Sequence, residues 1–192
     1  MNDTKQDNSV YEVKLFPYKD FFPKIDGSVF LASGVKVIGN VEIGELSSIW
    51  YNTVIRGDVN FVKIGKMTNI QDCSILHVTS HKYPLQIGDK VTIGHGVTLH
   101  GCTVNNLCLI GMGSILLDGV KIEERSLVAA GSVVTPGFIV HAGKLVAGVP
   151  AKIIRDLTDN EMLEFENAAL RYVDYTKSSL DSLKKYNYQT GW

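Results

Sequence analysis

Aliphatic residues recur at every sixth position over most of the chain, from about residue 29 to residue 149. This spacing fits neither an amphipathic helix, with a period of 3.6, nor an alternating strand, with a period of 2. A six-residue repeat is typical of a parallel β-helix, in which three hexads close a coil of about 18 residues. The repeat therefore predicts a prism of about seven coils. The first run of inward positions is Leu31, Val37, Ile43, Ile49, Ile55 and Phe61.

A small or branched residue follows four positions after each inward residue, where a corner of the coil leaves little room. In the first run this series ends at Val59. Later runs begin at Ile64, Ile87 and Val104. The step from Ile55 to Ile64 is nine and the step from Leu76 to Ile87 is eleven, which implies insertions of three and five residues. We expect the second insertion, at 80–84, to form a loop.

Three segments follow from this pattern. Residues 1–28 form an N-terminal arm and cap, with Phe21 and Phe22 closing one open end of the prism. Residues 29–150 form the β-helix. Within 151–192, Thr158 and Glu161 have the spacing of a capping box, and apolar residues follow at helical intervals. We therefore predict an amphipathic helix over 159–185 that packs on the wall of the β-helix, although its apolar stripe could also form a binding groove.

Composition and charge limit the partners and the cellular compartment that can be expected. The formal net charge is −1 and the pI is about 6.5, which gives no reason to expect nucleic acid or an anionic membrane as partner. No apolar run approaches the roughly 20 residues of a membrane span. The polar first ten residues suit neither a secretory signal nor a transit peptide, so we expect a cytoplasmic protein. Cys73, Cys102 and Cys108 lack CxxC spacing and are interpreted as buried thiols.

Counting coils places the histidines. His77 is second in its hexad, and three hexads onward His100 is second again, so the two side chains should lie one above the other. Three hexads back the same position holds Arg56. The equivalent count relates Gln71 to the hexad of His95, which assigns both to a different face.

This arrangement suggests a metal site shared between chains. Two imidazoles stacked roughly 5 Å apart at the backbone can both reach one ion with nitrogens about 2.0–2.1 Å from it. His95 points off another face, so as a third ligand it must come from a neighbouring copy. A cyclic trimer would create three such sites. Three neutral imidazoles on zinc leave a position for water, whose pKa falls to about 7 and which then yields hydroxide.

Several motifs resemble the gamma-class carbonic anhydrase family, over about residues 16–155. They are RGDV at 56–59, NIQD at 69–72, LHV at 76–78, IGHG at 93–96, LHGC at 99–102, LIGMGS at 109–114 and AGVPAK at 147–152.

The resemblance implies a left-handed β-helix that assembles as a homotrimer and binds zinc, or iron or cobalt, between subunits. It implies that a metal-bound hydroxide hydrates CO2 reversibly to bicarbonate. His77 and His100 would be ligands from one subunit and His95 from the next. Gln71 would orient the bound water, Arg56 and Asp58 would pair near the substrate anion, and Tyr172 would reach the site from the C-terminal helix. Alternatively, Arg56 and Asp58 form a structural pair and Gln71 satisfies buried backbone groups.

Two departures from the family pattern leave other functions open. Val59 stands where active members carry a glutamate, and the loop at 80–84 is short, with His81 as a candidate proton shuttle. The short-loop relatives include proteins linked with thioester hydrolysis. The alternatives are a hexapeptide-type acyltransferase or thioesterase acting on acyl-CoA, and a metal-stabilised trimeric scaffold with little catalysis. His141 is expected to be a surface residue.

Overall fold

A computed structural model describes residues 14–186. The strands in chain order are β1 (Lys14–Phe16), β2 (Lys24–Ile25), β3 (Phe30–Leu31), β4 (Lys36–Ile43), β5 (Ser48–Ile49), β6 (Val54–Ile64), β7 (Asn69–Ile70), β8 (Ile75–His77), β9 (Leu85–Ile87), β10 (Thr92–Ile93), β11 (Thr98–His100), β12 (Thr103–Val104), β13 (Leu109–Ile110), β14 (Ile115–Leu116), β15 (Lys121–Ile122), β16 (Leu127–Val128), β17 (Val133–Val134), β18 (Ile139–Val140), β19 (Lys144–Gly148) and β20 (Ala151–Asp156). One helix, α1 (Asp159–Lys185), follows them.

The strands stack in parallel and form a prism with three faces. Face 1 contains β8, β11, β14 and β17 in order, and face 2 contains β9, β12, β15 and β18. The long strand β6 bends from one to the other, so both faces belong to one hydrogen-bonded sheet. Face 3 is a separate sheet with the order β20-β19-β16-β13-β10-β7-β5-β3. Seven of its strands are parallel, which confirms the expected parallel β-helix of about seven coils.

Three columns of aliphatic side chains fill the prism. In face 1 the inward column contains Ile55, Leu76, Leu99, Leu116 and Val134, each fully buried. Small residues occupy the corners, and their hydroxyls bond to backbone carbonyls of the coil above: Thr53 Oγ1 lies 3.0 Å from the carbonyl of Gln71, for example. This satisfies polar groups that the closed coil would otherwise bury unpaired. The hexad pattern thus determines both the apolar interior and the small corner positions.

The three-residue insertion in β6 shifts the pattern at two positions. Phe61, expected inside, is half-buried, and Val62 occupies the interior instead, paired with Val41. Val59, expected at a corner, is exposed. The register between β4 and β6 slips between Gly39 and Val41, so the added residues bulge outward before pairing resumes.

The N-terminal segment adds strands to the sheet edge and does not close it with aromatic rings. β1 and β2 both pair in parallel with β4, while Phe21 and Phe22 remain about half exposed. Residues 1–13 of the expected arm lie outside the described residues, as do residues 187–192.

The cysteines differ in burial. Cys102 and Cys108 are buried as expected, and burial raises the pKa of each thiol to about 12. Cys73, which was expected to be buried, is exposed. Its φ of 60° shows that it occupies a corner of the coil in the left-handed backbone conformation. Gly96, with φ 65°, occupies the same corner in the next coil. From this corner the side chain of Cys73 points to solvent.

Helix α1 has the expected bounds and packs against face 3. Three side chains of the helix are buried in this contact: Phe165, Ala168 and Ala169. The capping box is present: Thr158 Oγ1 accepts from the Glu161 N–H at 3.3 Å, and Glu161 Oε2 accepts from the Thr158 N–H at 2.9 Å. Further along the helix, Leu180 and Leu183 are partly buried against the core of the prism. Across residues 14–186, no helix combines the length and apolarity of a membrane span.

Replacing Glu161 by glutamine should lower the melting temperature near neutral pH by roughly 2–4 °C, because the cap is weakened. Hydrogen bonds from Arg155 and from the Thr158 N–H lower the pKa of Glu161 to about 2 from 4.5. A lowered pKa stabilises the folded state fully above about pH 4.5, and this contribution disappears as pH falls towards about 2. Thermal unfolding of both proteins between pH 6 and pH 2 should therefore converge at low pH. Asp181→Asn, elsewhere on the same helix, is the control; a difference that persists at pH 2 contradicts the assignment.

Candidate metal centre

His77 and His100 lie in register on the outer side of face 1. They are the last residues of β8 and β11, and the two strands pair with His77 opposite His100. The side chains of Leu76 and Leu99 point inward, so their successors point outward. The ring centroids are 5.0 Å apart. The stacking obtained by counting hexads is thus confirmed.

Each of three histidines has one ring nitrogen held by a carboxylate. His77 Nε2 lies 3.1 Å from Asp58 Oδ1, His95 Nδ1 lies 2.6 Å from Asp72 Oδ2, and His100 Nδ1 lies 2.7 Å from Asp118 Oδ1. An ionised carboxylate only accepts hydrogen bonds, so the nitrogen facing it carries the hydrogen. In a neutral imidazole the other nitrogen then presents a lone pair, which is how metal-ligating histidines are oriented in proteins.

The free nitrogens of His77 and His100 face each other, with Nδ1 of the first 3.1 Å from Nε2 of the second. Two lone pairs at this distance need a positive charge between them. Burial, the largest effect on this residue, lowers the pKa of His77 and so disfavours a proton there. Two nitrogens bound about 2.0–2.1 Å from a tetrahedral ion are about 3.3 Å apart. The donor set therefore fits a metal ion of the zinc type.

His95 belongs to the opposite corner of face 1. It lies in the turn between β10 and β11, is largely exposed, and has Tyr172 and Trp50 beside it around a cavity of about 450 Å³. Within residues 14–186 no cluster of three or more His, Cys, Asp or Glu side chains could hold an ion by itself. One chain therefore brings two of the three expected ligands together and leaves the third facing outward.

Tyr172 lies on the His95 side of the molecule. Its ring contacts that of Trp50 edge to face, with centroids 5.5 Å apart. Burial and, after it, the negative charge of Asp72 raise the pKa of Tyr172, so this phenol keeps its proton at neutral pH. Within one chain it accompanies His95 and not the stacked pair.

Arg56 and Asp58 form an ion pair within the chain, beside His77. Burial, the largest effect, would raise the pKa of Asp58, but hydrogen bonds from Arg56 and His77 together hold it below its ordinary value. The pair thus keeps a carboxylate on His77 and a guanidinium near it.

Gln71 is 6% exposed, and its Nε2 donates to Asn69 Oδ1 at 3.2 Å. Asn69 in turn donates to Thr92 Oγ1 at 2.9 Å. Within one chain, Gln71 therefore takes part in the polar packing of face 3, next to Asp72 in sequence.

The other two histidines are separate from this centre. His81 is exposed in the loop at 80–84 and lines a cavity of about 300 Å³ together with Asp58 and Lys19. His141 is exposed, as expected, with Nδ1 3.3 Å from Glu123 Oε2.

Sequence reasoning did not identify the roles of Asp72 and Asp118. Asp72 ends the NIQD motif, directly after Gln71. Asp118 lies 18 residues beyond His100, one coil onward, so counting could have brought it near. The direction of its side chain, however, depends on the turn at Gly119 and is not contained in the six-residue period.

Comparison with known proteins decides the family. The chain is 48% identical to a carbonic anhydrase of Geobacillus kaustophilus, over 83% of this chain and 87% of that protein. It belongs to the gamma-class carbonic anhydrase family. It is also 46% identical to Protein YrdA of Escherichia coli, over 87% of this chain and 94% of the relative. The mitochondrial gamma carbonic anhydrase 2 of Arabidopsis thaliana is 44% identical over 81% of this chain, which spans 58% of that longer relative.

Solved structures confirm the architecture of this gamma-class member. A hexapeptide transferase family protein from Anaplasma phagocytophilum superposes with a TM-score of 0.81 at 43% identity, covering 85% of this chain and 96% of that chain. A Bacillus cereus structure, described provisionally as an acetyltransferase, gives 0.85 at 45% identity over 88% of this chain and 97% of its own. The family model "Hexapeptide repeat of succinyl-transferase" matches residues 103–136.

Replacing Asp58 by asparagine should weaken the binding of added zinc about tenfold to a hundredfold, because an amide that can also donate replaces the charged, acceptor-only carboxylate that fixes the ring and tautomer of His77. Competition with a chromophoric chelator measures the dissociation constant. Asp156→Asn, which removes an exposed carboxylate paired with Lys144, is the matched control. Equal affinities in the two variants would contradict this role for Asp58.

Proposed function

We propose that this chain is a zinc-dependent carbonic anhydrase-like enzyme that hydrates CO2 reversibly to bicarbonate at sites between the subunits of a homotrimer. Iron or cobalt would suit the same nitrogen ligands. The observation that carries the proposal is the pair of facing imidazole nitrogens, 3.1 Å apart, each on a ring whose other nitrogen is held by a carboxylate. An acyl transfer or thioester hydrolysis mechanism with a single histidine base leaves this pair unexplained.

The character of the three faces supports a trimer built around face 1. Helix α1 covers face 3. The outward column of face 2 is largely polar: Glu42, Lys63, Gln86, Thr103, Lys121 and Ile139. That of face 1 begins with Lys36 on β4 and is apolar beyond it apart from one threonine: Val54, Ile75, Thr98, Ile115 and Val133. An exposed apolar column of this kind marks an interaction surface.

The two halves of the candidate site flank this same face. His95 precedes β11 and His100 ends it, so they occupy its two edges. When three copies turn face 1 towards a common axis, the His95 edge of one copy meets the His77 and His100 edge of the next. His95 of the partner subunit then completes the ligand set, and Tyr172 of the partner subunit accompanies it.

Each group of the chain has a definite task in this scheme. When bound, zinc lowers the pKa of water to about 7 and so supplies hydroxide at neutral pH. Asp58, Asp72 and Asp118 orient the three imidazoles and hold the ring hydrogen on the nitrogen that faces each carboxylate, which leaves the other nitrogen free for the ion. Arg56 places a positive charge where the bicarbonate anion forms. The amide of Gln71 and the protonated phenol of Tyr172 can hydrogen-bond the oxygens of the reactants.

The proton released by hydration must still reach solvent. Val59 supplies no carboxylate for this purpose, and the loop at 80–84 contains His81 as its titratable group in this pH range. The shared cavity with Asp58 gives His81 a position close to the site. These differences support slower turnover than in family members that carry a glutamate at the position of Val59.

A complementation experiment tests the shared site. His77→Ala and His95→Ala should each abolish stoichiometric zinc binding and CO2 hydration in stopped-flow assays. Refolded together in equal amounts, they should regain about one quarter of the wild-type sites, because random assembly pairs an intact His77 edge with an intact His95 edge in one interface of four. His141→Ala is the control and should keep full activity.

Recovery of no activity in the mixture would contradict a site between subunits. Full zinc binding without CO2 hydration would support the scaffold alternative, and turnover of acyl-CoA without a requirement for zinc would support the acyltransferase or thioesterase alternative.

The trimer axis can be tested separately. Ile75→Asp should convert the trimer to monomers, because trimer formation would bury the new carboxylate in the interface at face 1. Light scattering measures the molecular mass in solution. Ile139→Asp is the matched control: Ile139 is 47% exposed on face 2, against 52% for Ile75 on face 1. The same mass for both variants would be evidence against this packing.

A further inference from the structure

Thr79 is linked to His100 through the carboxylate of Asp118. Its Oγ1 donates a hydrogen bond to Asp118 Oδ2 at 2.8 Å, and the other oxygen of the same carboxylate, Oδ1, lies 2.7 Å from His100 Nδ1. The two oxygens of Asp118 are therefore held from opposite sides. A carboxylate anchored at one oxygen can rotate about its Cβ–Cγ bond, whereas one anchored at both cannot.

The backbone around Thr79 is fixed by the short loop. The Thr79 N–H donates to the carbonyl of Tyr83 at 2.9 Å, and the Tyr83 N–H donates back at 3.3 Å. Asn60 Nδ2 donates to the carbonyl of Thr79 at 3.1 Å. These bonds direct the threonine hydroxyl towards Asp118 from a backbone that is itself hydrogen-bonded on both sides.

Tyr83 packs this loop onto the corners that position His100 and Asp118. A Cβ added at Gly101, directly after His100, would lie 2.7 Å from the Tyr83 Cβ. A Cβ at Gly119, directly after Asp118, would lie 3.0 Å from a Tyr83 ring carbon. Glycine at these two corners leaves the space that Tyr83 occupies. Loop and corner therefore fit each other closely at the point where His100 is oriented.

The other two carboxylates also have a second anchor. Arg56 holds Asp58, and the Tyr51 N–H donates to Asp72 Oδ1 at 3.2 Å. Thr79 supplies the corresponding anchor for Asp118, and it is the anchor that the short loop presents.

We propose that Thr79 is a positioning residue for metal binding: it fixes Asp118, which holds His100 in the tautomer and ring orientation that an ion requires. The inference rests on the proposed metal-dependent function. It gives the short loop at 80–84 a structural role at the site, through the contacts of Thr79 and Tyr83.

The test compares zinc dissociation constants, measured by chelator competition, in Thr79→Val and Thr79→Ser. Valine keeps the β-branched shape and removes the hydroxyl, so we expect binding roughly threefold to tenfold weaker. Serine keeps the hydroxyl and should restore wild-type affinity. With cobalt in place of zinc, the visible absorption spectrum should change in the valine variant and return with serine.

Thr68→Val is the matched control. Thr68 Oγ1 also donates a 2.8 Å hydrogen bond, to the carbonyl of Gly88 at another corner of the prism. This variant should lose thermal stability without losing zinc affinity, which separates general destabilisation from a role at the site.

A double-mutant cycle tests whether Thr79 acts through Asp118. Asp118→Ala should weaken zinc binding about tenfold to a hundredfold, and adding Thr79→Val should weaken it no further. Wild-type affinity in Thr79→Val, failure of serine to rescue, or full additivity in the cycle would each overturn the inference. Absence of stoichiometric zinc in the wild-type trimer would overturn the proposed function and the inference with it.

Discussion

The in-register stacking of parallel coils is the constraint on which this structure depends. Each strand places the same hexad position above its counterpart, so Leu99 covers Leu76 inside and His100 covers His77 outside. A slip of one residue would turn the leucines outward and the imidazoles inward. The register that builds the apolar core therefore also sets the spacing of the two metal-binding candidates. Stability and site geometry are consequences of the same hydrogen bonds.

The site itself combines this repetitive frame with side chains that break the repetition. The frame places two imidazoles at one edge of face 1 and a third at the other edge. Three aspartates then select the tautomer of each ring, and an arginine, a backbone N–H and a threonine hold those aspartates. Insertions supply much of this outer support: Asp58 follows the outward bend of β6, and Thr79 precedes the short loop. The regular period therefore positions the histidines, while two departures from it supply Asp58 and Thr79 as outer support.

Much of this could be read from the sequence, because the period is strict. The hexads predicted the inward columns and the pairing of His77 with His100, while the capping box and the helical spacing that follows it predicted the bounds of the C-terminal helix. The sequence pattern could not place the residues of the β6 insertion, since either Phe61 or Val62 could face inward until the register with Val41 was known. Nor could it show that Cys73 occupies a left-handed corner, or that Asp118 turns towards His100. These depend on side-chain rotation and on neighbouring coils, which a count along one chain does not contain.

The ends of the prism differ from its middle in one respect. Among the described strands, β4 pairs at one end with the short strands β1 and β2, and β19 pairs at the other end with β20, which is six residues long and antiparallel. The other end strands, β3, β17 and β18, pair on one side only and are two residues long. Edges of two residues offer few hydrogen bonds to another chain, and the antiparallel β20 ends the parallel stacking of face 3. Growth of the coil stack along its axis into a filament of copies is thus disfavoured.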